Sequence, residues 1–186
     1  MASSDNENLA SLPSEDVFRA YTLEEAKNRP TARRVRVFAD GIFDFVHYGH
    51  TRFLRQIRTA LPEAHIVAGI VDDADVFRYK HVVPVMSAAE RKVALEESGL
   101  VDGTWDGAPF NPTIEDLDRM KIDLLAHDAV PTPAHGVDDV YSMYRSAGRF
   151  LETRRTEGVS TTTIIKSILS EATESYRLLE TNVVKV

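Results

Sequence analysis

The sequence contains no cysteine and one tryptophan. Without cysteine there is no disulfide scaffold, no thiolate zinc site and no thiol nucleophile. Long apolar runs are missing too, since none approaches the ~20 residues that a membrane-spanning helix needs. The start, Met1-Ala-Ser-Ser-Asp-Asn-Glu-Asn, lacks the basic region and apolar core of a secretory signal, so a soluble cytoplasmic protein is expected. A basic surplus is also missing: 22 lysines and arginines face 29 aspartates and glutamates, a formal charge of −7. That balance argues against a nucleic-acid binder while leaving room for a local basic pocket.

What remains is one domain's worth of chain. At 186 residues, 43% of them hydrophobic, it is long enough to bury a core with no staple. Residues 1–16 are rich in Ser, Asp, Asn and Glu and are expected to form a flexible acidic tail. Residues 17–186 are expected to form the folded domain. The pattern predicts a helix over Val17–Asn28, with Thr22 and Glu25 as a capping box, closed by Pro30. A strand follows at Arg34–Asp40, then a helix from near Gly49 to Leu61, stopped by Pro62. His65–Val71 reads as a strand covered on both faces. Beyond it lie a helix over Ser87–Glu97, capped by Ser87 and Glu90, a strand at Val101–Trp105 and a helix over Thr113–Met120. A strand at Ile122–His127, a helix over Val137–Ala147 ended by Gly148, a strand at Phe150–Arg154 and a helix from Ser160 to about Glu180 complete the chain. Alternating strands and helices imply an α/β fold, a Rossmann-like doubly wound parallel sheet. Ligands of such sheets sit beyond the carboxyl ends of the strands, at the switch in strand order.

Unusual polar residues collect at those ends. His47 and His50, three apart at a helix start, can face one spot and offer N–H groups to a phosphate. They can equally cap and pack the turn. Arg155, Thr156, Gly158, Ser160 and Thr161 precede the last helix and supply a guanidinium, backbone N–H groups and hydroxyls for an oligophosphate. A plain loop with a serine cap is the simpler account of that segment on its own. Lys80 stands in the polar stretch Arg78-Tyr-Lys-His, placed after a helix, where a lone lysine is ordinarily solvated surface. Asp128 ends a buried strand, as a loop-turn aspartate also does.

In combination these segments resemble the cytidylyltransferase family, and within it the choline-phosphate cytidylyltransferases. His47-Tyr-Gly-His50 matches the family's H-x-G-H, and Arg155-Thr-Glu-Gly-Val-Ser-Thr161 matches its R-T-E-G-[IV]-S-T throughout. Lys80 matches its catalytic lysine, Leu125-Ala-His-Asp128 its V-A-H-D, and Asp138-Asp-Val-Tyr141 its D-D-V-Y. The resemblance covers about residues 20–175.

It implies transfer of CMP from CTP to choline phosphate, giving CDP-choline and pyrophosphate. His47, His50, Lys80 and Arg155 are then the catalytic residues. CTP would be held by those two histidines, the Gly41-Ile42-Phe43 backbone, Asp128, Arg155, Thr156, Gly158, Ser160 and Thr161. The acceptor would meet Asp40, Lys80, Phe110, Thr132 and Tyr141. Mg²⁺ carried on the CTP phosphates and a homodimer are further expectations.

The chain departs from the family at the acceptor. Phe110 stands where the family has Trp, and Thr132 where it has Tyr. Another acceptor, such as ethanolamine phosphate or a phosphonate, needs less of an aromatic cage. A catalytically silent nucleotide-binding module and an adenylyltransferase are the rival readings. The family's Lys-Gly is here Lys80-His81. Its R-Y-V-D interface segment is Gly99-Leu-Val-Asp102, without the arginine. About 25 residues follow Thr161 and lack the dense Lys/Arg face of a membrane-binding helix.

Overall fold

The computed structural model describes residues 18–28, 31–130 and 138–183. The expected 1–16 tail, Pro30 and Thr132 lie outside them. Five strands, β1 (Arg36–Ala39), β2 (His65–Ile70), β3 (Gly103–Asp106), β4 (Leu124–Asp128) and β5 (Phe150–Thr153), form one sheet. Every pairing is parallel and the order is β3-β2-β1-β4-β5. The chain winds outward from β1 to β3, then returns to start again at β4. The switch therefore falls between β1 and β4.

Seven helices accompany the described strands: α1 (Leu23–Asn28), α2 (Tyr48–Ala60), α3 (Asp73–Lys80), α4 (Ala88–Glu97), α5 (Ile114–Arg119), α6 (Ser142–Ser146) and α7 (Thr161–Val183). Strand residues alternate between two cores because successive side chains point to opposite faces. On one face Val37, Ala39, Leu124 and Leu151 pack with Leu54, Ile57 and Leu61 of the α2 region and Leu95 of α4. On the other, Phe38, Val67, Leu125 and Phe150 pack with Trp105, Leu117 of α5 and Tyr144 of α6. A sheet covered on both faces explains why β2 is continuously apolar.

Two capping boxes sit where the sequence puts them, Thr22 with Glu25 and Ser87 with Glu90, and a third, Thr113 with Asp116, starts α5. Other expectations need correction. The first helix begins at Leu23, not Val17, because the Thr22 cap itself fixes the start; residues 18–22 have no regular structure. There the backbone N–H of Tyr21 donates to buried Asp123. The helix expected from Val137 begins only at Ser142. Asp139 accepts the Tyr141 N–H and the Arg145 guanidinium, holding a turn in place of a first helical turn. Lys80 does not follow a helix; it is the last residue of α3.

Candidate active site

Two helices begin at the carboxyl ends of the central strands. The turn after β1 carries left-handed residues at Phe43 (φ 56°) and Phe45 (φ 51°) before α2 starts. His47 is the N-cap of α2: its Nδ1 accepts the Gly49 N–H at 3.1 Å. His50 Nδ1 accepts the His47 N–H at 3.3 Å, closing a capping box built from two imidazoles. The rings stack with centroids 3.9 Å apart. Gly49 between them is needed for space, since a Cβ there would lie 2.9 Å from both His47 and Val159.

These caps fix the chemistry of both rings. An Nδ1 that accepts carries no proton, so each neutral imidazole bears its proton on Nε2. Burial keeps them neutral. His47 is pushed down from its ordinary value, and His50, further repelled by His47 and Lys80, falls to about 4. Capping and presenting an N–H are thus not alternatives here; opposite nitrogens of each ring do the two jobs.

The second helix start is that of α7. Gly158 takes φ +74° in the turn before it. The Ser160 hydroxyl accepts the Thr163 N–H at 3.0 Å, and the Thr161 hydroxyl donates to the Asp44 carbonyl at 2.8 Å. That last bond ties the α7 start to the turn leading into α2.

Between the two starts lies a cleft of about 270 Å³. Asp40, Gly41, Ile42, Phe43, His47, His50, Lys80, Asp128, Arg155, Thr156, Ser160 and Thr161 all line it. Arg155 is 65% exposed and stands 3.7 Å from Asp128. The Lys80 ammonium makes no hydrogen bond or ion pair among the described residues. Its pKa is lowered, first by burial and then by Arg155, with Asp40 opposing.

Gly158, Phe110 and Tyr141 do not line the cleft among the described residues. Phe110 stacks on Tyr79 at 4.7 Å, and Lys80 Nζ lies 5.8 Å from its ring centre. Tyr141 is buried, stacks on His127 and donates from its hydroxyl to Asp40 at 2.8 Å. It reaches the cleft through Asp40 and His127, which both line it. Burial raises the Asp40 pKa, against the pull of His127, Tyr141 and Lys80.

His127, Asp44 and Arg154, to which the sequence assigns no site role of their own, also line the cleft. His127 was visible inside its motif. The Asp44 carboxylate accepts the N–H groups of Val85 and Met86, both at 2.9 Å.

Cations, N–H donors and two helix N-termini facing one space make a receptor for an oligophosphate. Residues 38–167 match the family model described as cytidylyltransferase-like. The chain belongs to the cytidylyltransferase-like family. It is 40% identical over 151 residues to choline-phosphate cytidylyltransferase A of Rattus norvegicus, covering 81% of this chain and 41% of that one. To the ethanolamine-phosphate cytidylyltransferase of Mus musculus it is 36% identical over 137 residues, covering 74% and 33%. The chain thus spans less than half the length of these curated relatives. The crystal structure of the lipopolysaccharide core biosynthesis protein from Thermoplasma volcanium GSS1 superposes with a TM-score of 0.50 at 18% identity, over 68% of this chain and 98% of that one. That likeness concerns the fold alone.

No described helix is long and apolar enough to cross a membrane. Among the described residues no group of three His, Asp or Glu side chains is placed to hold a metal ion. Asp44 accepts two backbone N–H groups, and Asp128 stands 3.7 Å from both His127 and Arg155.

Proposed function

We propose that this cytidylyltransferase-family protein transfers CMP from CTP to choline phosphate, releasing pyrophosphate. The observation that carries the proposal is the pair of capped imidazoles, His47 and His50, each bearing its N–H on Nε2 at a cleft shared with Lys80 and Arg155. An oxygen of the phosphomonoester attacks the α-phosphorus of CTP. The bond from that phosphorus to the bridging oxygen breaks, and pyrophosphate departs with the electron pair. The attacking group is already an anion, so no general base is needed. Catalysis is then positioning and neutralisation of charge.

His47 and His50 donate to the phosphates from Nε2. Lys80 lies between the two anionic reactants and lowers their repulsion. Arg155, Thr156, Ser160 and Thr161 hold the β- and γ-phosphates at the start of α7, with Gly158 giving the turn. Asp128 and the Gly41–Phe43 backbone face the nucleoside. Asp40, braced by Tyr141, takes the cationic end of the acceptor, with Phe110 beside Lys80 at the cleft's margin. Mg²⁺ would be carried on the CTP phosphates and would neutralise part of their charge. A cytoplasmic homodimer without a nucleic-acid partner completes the proposal.

A second acceptor is favoured by one observation. Phe110 is engaged by Tyr79 and lies beside the Lys80 ammonium, which leaves it a weak wall for a quaternary ammonium. Ethanolamine phosphate or another small phosphoester or phosphonate needs less of that wall. Pyrophosphate release is to be measured with CTP against a panel of these acceptors, and with ATP in place of CTP. Turnover of phosphocholine above the others is expected. Turnover of another acceptor alone keeps the family and changes the substrate. CTP binding with no release under any condition removes the enzymatic proposal.

A further inference from the structure

Arg91, on α4, is completely buried. A buried guanidinium is rare unless its donors are satisfied. Here Nη2 donates to the Val71 carbonyl and to Asp73 Oδ1, both at 2.6 Å. Nη1 donates to the Ile42 carbonyl at 2.9 Å, and Nε to the Met86 carbonyl at 3.3 Å. These acceptors come from four places: the end of β2, the start of α3, the turn after β1, and the segment 81–87 that links Lys80 to α4. That segment has no regular structure to hold it. Its other anchor is Asp44, which takes the Val85 and Met86 N–H groups while its own carbonyl accepts from Thr161.

We infer that Arg91 is a positioning residue: with Asp44 it clamps the segment that follows Lys80 against the histidine-bearing turn, and so sets where the Lys80 ammonium stands relative to the two imidazoles. Only arginine fits the place. Its planar fork reaches carbonyls on several sides at once, whereas a lysine ammonium satisfies a single locus. The inference rests on the proposed transferase reading for its kinetic consequence, but the clamp itself can be read without activity.

The test uses the full chain with Arg91→Lys, and Asp73→Ala as the milder variant that loosens the same guanidinium from a partly exposed partner. Two measurements are made. Amide hydrogen exchange at Val85 and Met86 reads the clamp directly, and both amides are expected to lose protection in either variant. Unchanged protection in folded Arg91→Lys and Asp73→Ala overturns the inference, whatever the enzyme turns over. Kinetically, kcat is expected to fall at least about tenfold, with the Kd for CTP changing less than about threefold, because the defect lies in alignment. In a Lys80→Ala background, adding Arg91→Lys or Asp73→Ala should cost almost nothing more, since the effect passes through Lys80. Losses that add in full, or a CTP affinity that drops in parallel with kcat, overturn it. A parent protein inactive with every acceptor refutes the transferase proposal alone, and the exchange measurement then decides the clamp.

Discussion

The two ends of the sheet use the same chemical groups to opposite effect. At the amino end, Asp123 has a fully buried side chain and receives four donors. Both Arg33 guanidinium nitrogens reach it at 2.7 Å, and the Tyr21 and Arg36 N–H groups at 2.8 Å. Asp102 nearby accepts from Arg58, Arg34 and the Ile66 N–H. At the carboxyl end, Lys80 has neither hydrogen bond nor ion pair among the described residues, and Arg155 is mostly exposed. A buried carboxylate with four donors has nothing left to offer a ligand. A cleft with surplus donors can be completed only by something anionic arriving. One end of the fold is closed for stability, the other open for binding.

Breaking the closed end should give the largest effect. Asp123→Ala leaves Arg33 and two backbone donors unmatched and is expected to lose about 3–5 kcal/mol in urea denaturation. The fraction that folds should keep its turnover per molecule. The open end should respond the other way. Lys80→Ala is expected to lose at least about 3 kcal/mol of transition-state stabilisation, roughly a hundredfold in kcat. Its unfolding midpoint should hold or rise slightly, since a partly desolvated ammonium is removed. A Lys80→Ala protein that is unstable yet active would collapse the distinction between the ends.

Acid should probe the open end next. The folded His50 pKa of about 4 lies below the ordinary 6.5, so the unfolded chain takes up a proton first as pH falls. Stability from this group is complete above about pH 6.5 and disappears as pH drops toward 4. Between pH 7 and pH 5 the loss should be about 2 kcal/mol. Denaturation of the parent and of His50→Asn at both pH values checks it, the variant showing a smaller drop.

The smallest effect concerns the loop that follows Lys80. His81 closes α3 with φ +55°, a left-handed position where a side chain costs roughly 1 kcal/mol and glycine little. His81→Gly should therefore gain up to about 1 kcal/mol, less the entropy that glycine adds to the unfolded chain.

Legibility followed the range of each signal. The Ser87 box, the Pro62 stop and the apolar run of β2 are encoded within a few residues, and they appear where the sequence puts them. The spacing of His47 and His50 was equally local, and it brings the rings into contact. Arg91 was not legible. Amid Ala, Glu and Lys on a helix it resembles a solvated side chain, and it is buried only because carbonyls from two distant segments, and from Met86 just before its helix, close over it. The late start of α6 has a similar cause, an Asp139 side chain competing with the helix for backbone donors.

The paired histidine caps carry one more consequence. Because Nδ1 of each ring is occupied by a backbone N–H before any nucleotide arrives, neither ring needs to change tautomer or take up a proton when a phosphate docks. The heat of CTP binding near pH 7.5 should then contain no contribution from imidazole protonation. These two side chains would meet their ligand already in the state in which they act.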